Sequence, residues 1–363
     1  MFFKIADLAV KHGFIRKNML PNINFDQYKF GPVGLLLLSN LESEWFFHFV
    51  INKDVTVFIN KDDFTSTFNF AKNTCCDRLP FGIVEKKGNK KMNSDDLIQY
   101  KTLTNSDSIE FCKRFPEEEK QFLKGTFFIS PNESTKFFHQ FQRQRRIWWR
   151  KISASPGRYL LTDNKTCENG SQTVEINAKY PWGYQEIEKL VLNSDLNDLG
   201  LENSQVQFKE GRKAVRPHTV TSTINLSTMF LNFLCDGYEE PLFQGKPRTI
   251  LRFHRKVAPY RISFAVSGTN AVSISELSDL ALYLSRQLRS NHISTLLLPS
   301  TSKHSLEAQY KQYDQLGVPY TAVLNENTLK DGILYLRSRD TTLKEQVHVT
   351  SLVTYIEQLF KNY

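Results

Sequence analysis

A chain of 363 residues exceeds the size at which one hydrophobic core usually stops growing, so we expect two or more domains. Hydrophobic residues make up 40% of the chain, but its longest apolar run, Leu35 to Leu38, is far too short to span a bilayer. The formal charge of +9 favours a polyanionic partner, and five cysteines without CxxC spacing argue against a disulfide framework or a zinc site.

The first 25 residues carry two competing signals. Four basic residues stand against a single acid, Asp7, which is the acid-poor balance of a mitochondrial presequence. The same stretch places Ile5, Leu8 and Ala9 at helical spacing, which also fits a first helix of the folded protein. The sequence leaves both interpretations open.

A helix is predicted after Gly31-Pro32-Val33-Gly34, because an apolar run continues from there to Phe47. The two glycines are expected to let the chain turn tightly into this helix. Between Phe47 and Arg78 the pattern indicates only a short connection with one strand, from Val55 to Ile59.

The segment from Lys136 to Lys151 holds six basic residues and no acid. At about 100° per residue, its basic side chains fall on one stripe of a helix and its aromatic side chains on the other face. The stripe comprises Lys136, His139, Arg143, Arg146 and Arg150, and the aromatic face comprises Phe137, Phe141 and Trp148. We expect the aromatic face to dock in the core and the stripe to meet phosphates. The alternative is that these arginines pair with carboxylates of the same chain.

Strands and helices alternate in the last hundred residues. Strands are predicted at Arg261 to Val266, Ile293 to Leu298 and Tyr320 to Leu324, with helices at Ser275 to Ser290 and Leu306 to Leu316. This alternation requires crossover connections and favours a largely parallel sheet covered by helices. The segment from Arg252 to Pro259 fits a junction between domains.

A hairpin and a helix are predicted to close the chain. Ile333 to Ser338 reads as a strand, Asp340 to Thr342 as a polar turn, and the residues that follow as a returning strand. Thr350 is expected to cap a final helix that runs through Leu359.

Two motifs carry a resemblance to known families. The order of elements, with LRSRDTT at 336–342, resembles the anticodon-binding domain of class II aminoacyl-tRNA synthetases of the glycyl, prolyl, histidyl and threonyl group. The fuller match LRSRDTTLKE, and Trp148-Trp149-Arg150-Lys151, resemble the accessory-subunit family of the mitochondrial DNA polymerase. The resemblance implies an α/β protein: a class II synthetase-like antiparallel-sheet (α+β) core at 1–250, and a mixed α/β anticodon-binding-like domain at 251–363.

Synthetase chemistry is not expected. The second synthetase motif should continue as Phe-Arg-x-Glu, since its arginine clamps the α-phosphate of ATP, but Lys86 to Lys91 stand here instead. The third motif needs glycine and arginine before the last core helix, and Thr223 to Ser227 contain neither. No other catalytic motif replaces them. We therefore predict no enzyme activity, no catalytic residue, no cofactor and no metal.

By resemblance, the expected function is that of a non-catalytic accessory subunit in the mitochondrial matrix nucleoid. Such a subunit binds the catalytic subunit of the polymerase, tightens its hold on double-stranded primer-template DNA and raises processivity. The alternative is a glycyl-type tRNA ligase or a tRNA-binding relative, and a free-standing RNA binder forms a third class. No membrane contact is expected.

Two sets of site residues follow from this expectation. The predicted DNA-binding residues are Lys136, Arg143, Arg146, Arg150, Lys209, Arg212 and Lys213. The predicted partner-binding residues are Gly332, Leu334, Leu336, Arg337 and Arg339. A monomer in isolation and one copy per polymerase are expected, because the dimer-forming helical insertion of vertebrate members has no room between Phe47 and Arg78.

Overall fold

The computed structural model describes residues 2–18, 27–88, 121–167, 170–196, 199–201, 205–243, 245–299 and 303–361. The helices in these ranges are α1 (Phe2–Lys11), α2 (Pro32–Phe46), α3 (Phe64–Thr74), α4 (Pro131–Lys151), α5 (Leu226–Gly237), α6 (Ala271–Ser290), α7 (Leu306–Gln315), α8 (Glu326–Asp331) and α9 (Leu352–Lys361). The first strands are β1 (Ile15–Asn18), β2 (Gln27–Phe30), β3 (Val57–Asn60), β4 (Phe81–Gly88), β5 (Gln121–Ile129), β6 (Tyr159–Leu161), β7 (Lys165–Thr166), β8 (Gln172–Tyr180), β9 (Gly183–Asn193), β10 (Phe208–Glu210) and β11 (Lys213–Val215). The remaining strands are β12 (His218–Asn225), β13 (Tyr238–Glu239), β14 (Leu242–Phe243), β15 (Lys246–Pro247), β16 (Ile250–Leu251), β17 (Ile262–Val266), β18 (Thr295–Leu296), β19 (Tyr320–Leu324), β20 (Ile333–Ser338) and β21 (Lys344–His348).

The first part of the chain is built on an eight-stranded sheet. Its strands lie in the order β3-β4-β5-β12-β9-β8-β6, with β7 also pairing with β8. The β3–β4 pair is parallel and the other pairs are antiparallel. The predicted antiparallel-sheet core is therefore confirmed.

Both faces of this sheet are packed at the β4–β5 end. Leu123 and Phe127 of β5 join one large core with α1, α2, α4 and α5, whereas the neighbouring Phe128 faces α3 across the other side. This alternation follows from the period of two along a strand. Ile5 and Ala9 of α1 are buried in the larger core, so residues 2–11 form part of the fold, as the helical interpretation of this stretch predicted.

Gly31 and Gly34 permit a close crossing at the start of α2. A Cβ on Gly31 would collide with the backbone carbonyl of Gly13, and one on Gly34 with the carbonyl of Phe14. Pro32 lies in the first turn of the helix, where its missing N–H leaves no hydrogen bond unmade. The predicted need for glycine at these positions comes from this backbone contact.

The connection from Phe47 to Arg78 contains more structure than predicted. A π-helical turn, Phe47–Ile51, precedes β3, and the eleven-residue α3 follows it. The carboxylate of Asp63 caps α3 by accepting from the backbone N–H groups of Thr65 and Ser66 at 3.1 and 3.0 Å. The apolar spacing in α3 is sparse, which is why the pattern alone indicated a loop.

The second sheet has five strands in the order β18-β17-β19-β20-β21. The pairs of β17 with β18 and β19 are parallel, and the last two pairs are antiparallel, so the sheet is mixed. Strand β19 has the predicted bounds, while β18 is shorter than predicted. Helices α6 and α9 pack on one face and α7 on the other.

The end of the chain differs from prediction in its cap. His348, and not Thr350, caps the turn after β21: its Nδ1 accepts from the backbone N–H of Thr350. Val349–Ser351 form a 3₁₀ turn before α9 begins at Leu352. The imidazole reaches the free N–H because β21 continues to His348, which leaves Thr350 already inside the turn.

The junction between the two sheets is buried and not an exposed linker. Val257 and Ala258 are fully buried, and the Nδ2 of Asn40 on α2 donates to both of their carbonyls, at 3.3 and 2.8 Å. Val33 packs against the cores on both sides. The predicted boundary near residue 250 stays a prediction, but the two parts meet through specific contacts.

Candidate nucleic-acid and partner interface

A buried ion pair fixes α4 to the first sheet. Arg145 is completely buried and donates to both carboxylate oxygens of Glu188 on β9, at 2.7 and 3.1 Å. The indole N–H of Trp149 and the hydroxyl of Ser222 donate to the same carboxylate, at 2.6 and 2.5 Å. Rotation of α4 about its axis would leave a charge unpaired in the core, so the orientation of its outer face is set.

The outer face of α4 presents the predicted cationic stripe. Lys136, Arg143 and Arg150 are exposed and Arg146 is half-buried. Among the described residues none of these four cations forms an ion pair. Internal pairing, the alternative interpretation, applies to Arg145, which lies off the stripe. The helix has 21 residues and is therefore about 30 Å long.

The second basic set lies on a hairpin beside the first turn of α4. Lys209 and Lys213 belong to the paired strands β10 and β11, and Arg212 lies in the turn between them. All three side chains are exposed, and within the described ranges their one ion pair is a long contact of 3.6 Å between Lys209 and Asp77. The hydroxyl of Ser130, the residue before α4, donates to Glu210 at 2.8 Å, which holds the hairpin next to the helix. The fold therefore brings the two predicted basic sets onto neighbouring elements.

Four of the five predicted partner-binding residues are buried inside the chain. Leu334 and Leu336 are 0% and 3% exposed and belong to the core of the second sheet. Arg337 and Arg339 are 4% and 2% exposed. These side chains have structural roles, because the even-numbered positions of β20 face the core and both arginines are engaged internally. Their contact with a partner stays a prediction.

Arg339 joins the two parts of the chain. Its guanidinium donates to the carbonyls of Leu251 and Phe253, at the start of the junction, at 3.0 and 2.8 Å, and to the carbonyl of Gly317 at 2.8 Å. Five donors in a planar fork suit such a cluster of carbonyls, which lysine would not satisfy.

Arg337 belongs to a second buried cluster. It donates to both oxygens of Asp314 on α7, at 3.0 and 3.1 Å, and lies over the ring of Tyr310 at 4.4 Å. Arg248, from the segment before the junction, donates to the same carboxylate at 2.9 Å. The second and fourth residues of the LRSRDTT motif thus fix how the second sheet sits on the first.

Gly332, the fifth predicted partner-binding residue, ends α8 in the left-handed conformation, with φ of 72°. A Cβ there would lie 2.6 Å from Nε2 of His348. Glycine is required both by the backbone angle and by this contact.

The positions of the lost synthetase motifs are used for internal contacts. Lys86 pairs with Glu42 at 2.8 Å and Lys87 with Glu85 at 2.8 Å. The predicted run continues to Lys91, but 89–91 lie outside the described residues. Asn225 caps α5 by accepting from the N–H of Thr228 at 3.1 Å.

Neither a metal site nor a membrane span is present in the described part of the chain. Within those ranges no group of three or more His, Cys, Asp or Glu side chains could hold a metal ion. The helices described there are too short or too polar to cross a bilayer.

Known proteins resemble this chain in both sheets. Residues 265–359 match the family model of the anticodon binding domain. The chain is 25% identical over 258 residues to a glycine–tRNA ligase of Borreliella burgdorferi, covering 68% of this chain and 56% of that ligase. Together with the antiparallel sheet, these matches define a class II synthetase-like protein with an anticodon-binding domain.

Higher identity is found with subunits of a DNA polymerase. The chain is 31% identical over 251 residues to DNA polymerase subunit gamma-2, mitochondrial, of Drosophila melanogaster, covering 66% of this chain and 67% of that subunit. It is 26% identical over 377 residues to the subunit of the same name from Xenopus laevis, covering 91% and 81%. The chain belongs to the family of DNA polymerase gamma-2 subunits.

Sequence reasoning missed the acidic members of the buried clusters. Glu188 lies in an alternating strand and Asp314 in an amphipathic helix, where carboxylates usually face solvent. One signal could have been used: Arg145 stands between the aromatic residues of α4, at a position whose angle on the helix points to the core.

Proposed function

We propose that this chain is the non-catalytic accessory subunit of a mitochondrial DNA polymerase, which binds the catalytic subunit in the matrix nucleoid and strengthens its hold on primer-template DNA. The single observation that carries the DNA part is a solvent-facing cationic stripe that forms no ion pair with the described residues, on a helix whose orientation is fixed by the Arg145–Glu188 pair. Family membership supports the polymerase part. Added contact with DNA slows dissociation of the polymerase, so more nucleotides are incorporated per encounter. The activation barrier for adding each nucleotide stays the same.

The stripe suits phosphates more than base edges. Arg143, Arg146 and Arg150 recur at three- and four-residue spacing along one face, so their cations can follow a phosphate backbone. Base readout requires an element that enters the major groove. Amide or guanidinium side chains on that element would then make paired hydrogen bonds to the base edges. The buried aromatic face of α4 prevents this helix from leaving the core to enter a groove. We therefore propose contact with duplex DNA that does not depend on sequence.

Charge removal at Arg143, Arg146 and Arg150 together is expected to weaken binding to a blunt DNA duplex. The logarithm of the binding constant falls linearly with the logarithm of the salt concentration. Counterion release predicts that each lost phosphate contact makes this slope shallower by about 0.9, so three lost contacts change it by up to about 2.7. Titration of fluorescent duplexes at several salt concentrations measures this slope. The matched control replaces Arg286, Lys311 and Lys330, three exposed cations of the second part of the chain, by alanine. An unchanged slope in the stripe variant would show that the stripe is only a solvated face.

Replacing Gly332 by glutamate is expected to weaken the complex with the catalytic subunit. The left-handed backbone and the 2.6 Å approach to His348 force the turn between α8 and β20 to shift, which displaces the hairpin β20–β21 and the start of α9. Co-purification with the catalytic subunit measures the effect. Gly88→Glu serves as a control because a Cβ there meets nothing within 4 Å. Recovery of equal amounts of complex with both variants would contradict the proposal.

We further propose a monomer in isolation and one copy per polymerase. The segment between Phe47 and Arg78 forms a π-helical turn, β3 and α3, in place of the long insertion that the resemblance associates with dimers. Light scattering at micromolar concentration is expected to give a mass near 42.2 kDa. A mass near twice this value would overturn the proposal.

A primer-extension assay tests the function as a whole. With the partner polymerase scarce relative to primed template, addition of this chain is expected to lengthen the products of a single binding event. The alternative, a glycyl-type tRNA ligase or tRNA-binding relative, is favoured by the match to the anticodon binding domain. The internal pairing of Lys86 and Lys87 counts against ATP chemistry. Amino-acid-dependent pyrophosphate exchange, with no effect on product length, would establish the ligase.

A further inference from the structure

A cleft of about 600 Å³ lies between the two parts of the chain. Its walls come from the end of α4, the π-helical turn after α2, the junction, and the ends of β19 and β20. This volume falls in the range of pockets that hold small ligands. Arg150 belongs both to the cleft and to the cationic stripe. The other residues that line the cleft take no part in the proposed contact with duplex DNA.

The walls of the cleft are held in place without a ligand. Arg339 ties the junction to Gly317 through the three carbonyls described above. Arg255 donates to the carbonyl of Leu359 in α9. Because these bonds hold the junction against the second part of the chain, the cleft is pre-formed, which reduces the ordering cost of binding.

Positive charge exceeds negative charge in the lining. Six arginines and lysines line the cleft against two acids, Glu44 and Asp340. Both acids already have cationic neighbours: Asp340 accepts from Arg339 at 2.8 Å, and Glu44 lies 3.9 Å from Lys256. Arg150 and Lys151 are exposed and take part in no ion pair with the described residues. The cleft therefore offers two cations to an anion.

The lining of the cleft also contains polar groups that are buried. Burial, and after it the neighbouring cations, of which Arg145 is the first, lower the pKa of His48 to about 2. His48 Nε2 and the indole N–H of Trp148 are both buried and have no hydrogen-bond partner among the described residues. A ligand with oxygen acceptors would supply what these groups lack.

Aromatic surface completes the lining. Phe47 is 46% exposed although it follows directly on an apolar helix, and the half-buried Tyr320 also lines the cleft. Rings beside cations are the arrangement that proteins use to stack a base and hold its phosphates. We propose that the cleft binds a nucleotide, with its phosphates on Arg150 and Lys151 and its base against Phe47. The nucleotide is either a free nucleoside triphosphate or the end of a nucleic acid strand.

Calorimetry with the full chain alone tests this proposal. The probes are dATP, deoxyadenosine, pyrophosphate and a 5′-phosphorylated trinucleotide. We expect saturable binding of dATP, with deoxyadenosine and pyrophosphate each at least about tenfold weaker, since each lacks one of the two recognised groups. Tighter binding of the trinucleotide than of dATP would identify a strand end as the source, and the reverse order a free nucleotide. No saturable binding of dATP or trinucleotide up to about 1 mM would overturn the proposal.

Two variants place the site in the cleft. Lys151→Ala and Phe47→Ala are each expected to weaken dATP binding about tenfold, the size of one lost charged contact or one lost stack. Arg286→Ala, an exposed cation outside the cleft, should bind dATP as the parent does. If Lys151→Ala and Phe47→Ala bind dATP as tightly as Arg286→Ala does, the site is refuted. Thermal unfolding checks that each variant is folded. A blunt duplex is titrated in parallel with the parent and with Phe47→Ala, which changes the cleft and leaves the stripe intact. Duplex binding that survives this substitution reports on the stripe, so failure of the proposed DNA contact is distinguished from failure of the cleft.

Discussion

Replacing Glu188 by glutamine is expected to lower the free energy of unfolding by about 3–5 kcal/mol, because Arg145 then remains as an uncompensated charge in the core. The side chains of both residues are 0% exposed, so solvent cannot screen the loss. Glutamine has nearly the same volume, which rules out a cavity as the cause. Urea unfolding followed by tryptophan fluorescence measures the effect, since Trp149 donates to the carboxylate that is removed.

Two further variants isolate the ion pair. Glu175→Gln changes a carboxylate on the neighbouring strand β8 that lies 3.8 Å from the exposed Lys165, and should cost less than about 1 kcal/mol. Arg145→Met combined with Glu188→Leu should recover most of the lost stability, because it removes both charges and not one. If Glu188→Gln costs no more than Glu175→Gln, the pair does not anchor α4.

Replacing Asp314 by asparagine is the second change expected to have a large effect, also of about 3 kcal/mol. It removes the counter-charge of Arg337 and Arg248, which donate to this carboxylate from the two sides of the junction. We expect both a lower urea midpoint and faster hydrogen exchange at the junction, because the contact between the two sheets loosens. Stability and exchange are measured on the isolated chain.

The control for this change is Asp279→Asn, an exposed aspartate on α6. It removes the same charge from the same part of the chain and should leave both measurements unchanged. Equal behaviour of the two variants would contradict the assignment of Asp314 to the junction. If Asp314→Asn also reduces co-purification with the polymerase, the effect of the LRSRDTT motif on partner binding is indirect, through the position of the second sheet.

Local patterns predicted the elements whose faces are simple. Strand β19 alternates between two buried faces and is bounded by turns, so its limits were read correctly from Tyr320 to Leu324. Helix α4 was predicted with its aromatic face inward, because a 3.6-residue period separates charge from rings. Helices α3 and α8 were missed because both carry few apolar residues, although each begins with a side-chain cap, Asp63 and Asn325.

The sequence by itself determined the class of fold, the loss of synthetase motifs and the position of the basic stripe, because each depends on residues that are close along the chain. Only the tertiary structure decided which distant groups compensate the buried arginines. Arg143 and Arg145 are two residues apart, yet the first is exposed and the second fully buried against Glu188, 43 positions later. Arg337 and Arg339 belong to a motif that the sequence marked as a partner surface, but their partners come from 248–253 and 314–317. A charge is placed inside a protein only where a distant residue compensates it, and that pairing has no trace in local periodicity.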